Sequence, residues 1–169
     1  MEYRDSIKTL ADLPKPLSYQ FNSMRIMEYR ANTADDLIGV QVQFKFDVKC
    51  VFGVSVDPPF VIVMPEVTCT LLDDPSREMC YLKIQAVFPV DGIDAYIINN
   101  EVTLPEEFSS TLINLALGAL RGILFAKNLG MSYSNTVMPP MSLTDLLPKE
   151  SFRLANESQS VRILTPTNP

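Results

Sequence analysis

The chain has 169 residues, a length that suits one domain with enough interior for a real core. Hydrophobic residues make up 47%, charged residues only 20%, and the net charge of −6 argues against a duplex-phosphate binder, which needs a basic face. Histidine is absent, which removes Ser-His and Cys-His nucleophiles and imidazole metal ligands together, so only carboxylate- or lysine-based chemistry stays open.

In chain order, residues 1–17 read as a peripheral segment. Met1-Glu2-Tyr3-Arg4-Asp5 is mixed in charge with no apolar h-region, so no signal peptide is expected and the cytoplasm is the expected compartment. Ile7, Leu10 and Leu13 suit one short helical turn, closed by Pro14 and Pro16. From Leu17 to Tyr29 the apolar pairs Tyr19/Phe21, Met24/Ile26 and Met27/Tyr29 alternate with changes of phase. That pattern predicts a strand carrying one or more bulges. Ala31 to Asp36 reads as a polar turn.

Val40, Val42, Phe44, Phe46 and Val48 then share one face, with Gln41, Gln43, Lys45, Asp47 and Lys49 opposite. Strict period-two alternation predicts a strand buried on one face and wetted on the other, as in an antiparallel sheet. Phe52 to Pro59 reads as a turn-rich connection, and Phe60 to Leu72 as a third strand bent or bulged near Pro65. Asp73 to Arg77 is a hairpin-type loop, and Met79 to Val90 a fourth strand ended by Asp91-Gly92.

After Leu104-Pro105-Glu106-Glu107 the periodicity predicts a helix over Phe108–Leu129 that is apolar nearly all the way round. Gly118, Arg121 and Gly122 keep it short of an uninterrupted transmembrane run, so no membrane insertion is expected. Pro139-Pro140 forces an extended approach, Ser142 with Asp145 forms a weakened capping box for a short second helix, and Pro148 stops it. The expected architecture is α+β: a four-stranded antiparallel sheet with two C-terminal helices on one face, spanning residues 18–148. Residues 149–169 read as a tail or an extra strand.

Signs of chemistry are sparse. Cys50, Cys69 and Cys80 form no CxxC and read as small buried hydrophobes. The carboxylate pairs Asp35-Asp36, Asp73-Asp74 and Glu106-Glu107 have turn and helix-dipole explanations. The six glycines make no phosphate cradle. Gly118 and Gly122 let a second backbone come close, be it the chain's own sheet or another subunit. No catalytic residue, metal or cofactor is expected.

The order of strands, long helix, loop and proline-led segment resembles the SecB-type protein-export chaperones. Arg121 and Pro140 match that family's arginine and proline, and Met141, Ser142, Leu143, Leu146 and Leu147 match the positions that follow. Ser142 stands where the family has Asn, and Leu143 and Leu147 where it has aromatics. The resemblance implies an ATP-independent holdase, assembled as a dimer or tetramer with the long helices inside. It would pass non-native polypeptide clients to an export or assembly partner, such as a translocation motor of the SecA type. Alternatives are a dedicated chaperone of one client, such as a toxin–antitoxin pair, and an oligomeric adaptor.

The expected peptide groove comprises Phe52, Phe60, Ile62, Met64, Tyr133, Val137, Met138 and Met141, and the expected oligomer interface Leu117, Gly118, Leu120, Arg121 and Leu124. Two departures from the family are visible. The long crossover after the first strand reads as cut to Ala31–Asp36, and the wetted sheet face is mixed in charge rather than acidic.

Overall fold

A computed structural model describes residues 16–133, 136–144, 146–148 and 152–153. The expected turn at Ile7–Leu13 lies outside them, as does Asp145.

Four strands carry the fold: β2 (Ser23–Ala31), extended at its start by β1 (Ser18–Tyr19), then β3 (Phe44–Val56), β4 (Pro59–Leu71) and β5 (Glu78–Asp91). All neighbours are antiparallel, in the order β1/β2, β5, β4, β3. Two hairpins join the last three strands, the first through a two-residue turn, and β2 lies against the far side of β5, as in a Greek key. The phase change predicted in the first strand is a bulge at Met27. Before it Met24 and Ile26 sit opposite Ala86 and Ile84, and after it Tyr29 and Ala31 sit opposite Leu82 and Cys80.

Four expectations about the strands and their connections need correction. The connection between β2 and β3 is not cut short: it runs through residues 32–43 and carries the chain from one sheet edge to the other. Asp36 receives two hydrogen bonds from Arg77, at 2.6 and 2.7 Å, which hold its carboxyl below its ordinary pKa and tie the crossover to the β4–β5 hairpin. Val40 and Val42 belong to this crossover, so the strand begins only at Phe44. Phe52–Val56, expected as a connection, is the end of β3, and the turn is confined to Asp57-Pro58. Pro65 causes neither a bend nor a bulge. The β4–β5 register is unbroken around it, and the ladder merely skips Met64 and Pro65, where Pro65 has no N–H to give.

Helix α1 (Glu106–Asn128) covers one face of the sheet. Acidic Glu106 and Glu107 stand in its first turn and Lys127 in its last, each favoured by the helix dipole. Gly130, at φ +87°, takes the left-handed conformation that ends the helix. Leu112, Ile113, Ala116, Leu117, Leu120 and Leu124 are buried with Val61, Val63, Val67, Leu82, Ile84, Ala86 and Phe88 in the main core. By length and composition alone α1 is able to cross a bilayer, but these residues commit one of its faces to the sheet.

Among the described residues the expected second helix does not form: Leu143 O accepts from the N–H groups of Leu146 and Leu147 as a single turn. Between Pro140 and Pro148 too few residues remain to offset the cost of nucleating a helix. One small sheet escaped the sequence reading: β6 (Ile97–Ile98), β7 (Glu101–Val102) and β8 (Phe152–Arg153). Its turn places Asn99 and Asn100 at φ +52° and +64°, the left-handed conformations that Asn-Asn accommodates in a two-residue hairpin.

Tyr133 pins the segment after α1. Its buried hydroxyl donates to Asn32 O (3.2 Å) and Met79 O (3.0 Å), and burial raises its pKa. Tyr133→Phe leaves a carbonyl of the crossover and one of β5 without this donor, and should cost about 1–3 kcal/mol in urea unfolding. An unchanged midpoint would show that the hydroxyl does not anchor the segment.

Candidate apolar binding surface

The residues expected to form one groove are split by the sheet. Phe52, Tyr133 and Met138 are buried in the main core on the helix side. Ile62 and Met64 lie on the opposite face, in a second cluster with Val51, Phe60 and Val87. Met141 packs partly against the main core, and only Val137, 64% exposed, stands clear of it. Alternation in β3 and β4 sends successive side chains to opposite faces, so a single groove cannot collect all eight.

The expected oligomer interface divides as well. Leu117, Leu120 and Leu124 are the helix's inward face, each 2% exposed or less. Gly118 and Gly122 point the other way, and a Cβ added at either meets nothing within 4 Å. Their spacing therefore makes no room for the chain's own sheet. Arg121 lies between them, and its Nε is buried without a hydrogen-bond partner among the described residues.

The exposed apolar surface is elsewhere. Along β1, β2 and the link between them, Tyr19, Phe21, Met24 and Ile26 face the helix side of the sheet yet are 37–53% exposed. Tyr19 meets Phe88 and Phe108 edge to face, at 6.1 and 5.9 Å, and Phe21 meets Phe88 at 5.5 Å. These rings are anchored at one edge and open at the other. Met27, in the bulge, is also exposed.

Helix α1 runs beside this strand edge. Tyr19 touches Phe108 at the start of the helix, and the Tyr29 hydroxyl donates to Lys127 O (3.2 Å) and Asn128 Oδ1 (3.1 Å) at its end. The shared length is about 30 Å at the helical rise per residue. Exposed Leu115, Gly118, Gly122, Phe125 and Ala126 make the outer face of the helix largely apolar along that length, with part-buried Arg121 as its one charge there. The sequence did carry this signal: the apolar residues of the first strand outnumber what one buried face needs.

On the other face of the sheet, beyond the Val51, Ile62 and Met64 cluster, the side chains are polar and self-neutralising. Arg30 pairs with Glu28 and Glu78 and lies 4.1 Å over the Tyr81 ring, while Glu66 takes both Lys83 Nζ (3.1 Å) and the Tyr81 hydroxyl (3.0 Å). That desolvated contact with a carboxylate pushes the Tyr81 phenol up to about 12. No large single-sign field results. Among the described residues no three of Cys, Asp or Glu gather into a metal-binding group.

No family model matches the chain, and no curated protein does. One solved structure with a similar chain is a Mycobacterium tuberculosis SecB-like chaperone in complex with a peptide from an antitoxin. It is 12% identical, at a TM-score of 0.48, over 73% of this chain and 91% of that one.

Proposed function

We propose that this chain is a non-enzymatic, ATP-independent holdase that keeps non-native polypeptides in an extended state. The observation that carries the reading is the apolar row Tyr19, Phe21, Met24 and Ile26 on a sheet edge whose outer side pairs with nothing among the described residues. An edge strand offers unpaired N–H and C=O groups to any extended chain, whatever its sequence. Half-exposed rings and two methionines beside it take varied apolar side chains without fitting one closely. The resemblance carried by Arg121, Pro140 and Met141–Leu147 points the same way.

The outer face of α1 is assigned to a second copy. Glycine in an exposed helix interior costs about 1 kcal/mol against alanine, and Gly118 and Gly122 gain nothing for that cost within one chain. Close approach of a partner backbone is what such spacing permits.

The test is suppression of aggregation of a reduced, unfolded client, with light scattering to size the free protein. Suppression near one client per oligomer, indifferent to magnesium and ATP, is expected. A protein that leaves aggregation unchanged is an adaptor instead, and dependence on ATP would sink the passive mechanism. Handover to a SecA-type motor is a further step, tested by adding such a motor to the loaded complex. The neutral, cross-paired sheet face offers such a partner shape rather than charge.

A further inference from the structure

Cys69 and Cys80 are directly opposite each other across β4 and β5. Residues so placed in an antiparallel pair have Cα atoms about 4.5–5.5 Å apart, within the range a disulfide spans. Both are 1% exposed, and each thiol shifts the titration of the other, Cys69 up and Cys80 down. The pair is not symmetric. The buried Asn128 amide also donates to Cys80 Sγ, at 3.6 Å, and Asn128 in turn accepts from the Tyr29 hydroxyl. Cys80 thus joins β5 to the last turn of α1 and to the exposed edge strand. The Tyr133 hydroxyl caps the neighbouring Met79 carbonyl, so the same few residues hold the end of the helix and the segment after it.

We propose that Cys69 and Cys80 form a reversible cross-strand disulfide, and that its formation releases the C-terminal end of α1 from the sheet. Two donors favour the thiolate at Cys80, whose pKa the hydrogen bonds from Cys69 and Asn128 lower, whereas Cys69 is held up. Cys50 has Pro65 opposite it, and burial pushes its thiol up to about 12, so it stays reduced. Hydrogen peroxide is a small enough oxidant to reach the pair when the segment after α1 opens. The Cys80 sulfur attacks one peroxide oxygen, the O–O bond breaks and hydroxide leaves. The Cys69 sulfur then displaces the oxygen from Cys80, the S–S bond forms, and water departs with the Cys69 proton. Two thiols and one peroxide become one disulfide and two waters, and a dithiol reductant reverses the change.

The consequence follows from Asn128. A neutral disulfide sulfur is a poor acceptor, so the buried Asn128 amide loses its partner and is better solvated than packed. The last turn of α1 should loosen, and the Tyr29 end of the strand edge with it.

The experiment treats the full chain with hydrogen peroxide, maps disulfides by mass spectrometry without reductant, and follows amide hydrogen exchange. A Cys69–Cys80 link is expected, with at least tenfold faster exchange in residues 125–133, reversed by dithiothreitol and kept in Cys50→Ser. Cys69→Ser and Cys69→Ala should show neither change, whichever of them folds better. Oxidation that stops at a single cysteine overturns the link. A link that leaves exchange at residues 125–133 unaltered overturns the release. Neither result bears on whether the protein holds unfolded clients.

Discussion

Replacing Leu120 with aspartate should unfold the chain rather than dissociate an oligomer. The side chain is wholly buried between α1 and the sheet, in the cluster that includes Val63, Leu82 and Ile84. An unpaired carboxylate there loses both the apolar contacts and its own hydration, a penalty above about 4 kcal/mol against a total stability of about 5–15 kcal/mol. Leu115→Asp is the counterpart. Leu115 is 43% exposed on the outer face, so the change should leave the urea midpoint within about 1 kcal/mol. It puts a charge where a second copy would pack, and the mass by light scattering should fall. If Leu120→Asp instead gives a folded monomer, the helix packs on its sheet less tightly than its burial indicates. If Leu115→Asp leaves the assembly intact, the outer face is not the contact between copies.

The contrast between these two leucines marks how far the sequence reaches. A helix that is apolar nearly all round announces burial on more than one side, but not which side meets the chain's own sheet. Gly118 and Gly122 are the discriminating residues, and their meaning rests on what lies within 4 Å of an absent Cβ, which only coordinates supply. The strands were legible wherever one face is buried and the other wet, as in Phe44–Cys50. After Cys50 both faces of β3 are buried, the alternation vanishes, and a strand end looks like a connection. The crossover looks like strand for a related reason: Val40 and Val42 continue the period-two pattern although residues 32–43 are not part of the ladder. The expected groove residues share a type, large and apolar near prolines, and type does not say which face of a sheet a side chain takes. The edge row was available as a bulged strand with too many apolar residues for one buried face.

The last expected result concerns that row. Phe21→Ser and Ile26→Ser should each weaken binding of an unfolded, fluorescently labelled client by about tenfold or more, the loss typical of a central apolar anchor of about 1–3 kcal/mol. Phe21 and Ile26 are 53% and 42% exposed, so much of their apolar surface is already in water and the melting temperature should change little. Phe52→Ser is the informative opposite. Phe52 is only 4% exposed and packs in the main core, so its loss should lower stability by about 3–5 kcal/mol, and whatever fraction stays folded should bind the client as before. Met141→Ser, at a part-buried position beside the core, should fall between the two in stability and leave affinity unchanged. Should Phe52→Ser or Met141→Ser reduce affinity in folded protein while Phe21→Ser and Ile26→Ser do not, clients bind over the segment after α1. The strand edge would then be a contact between copies.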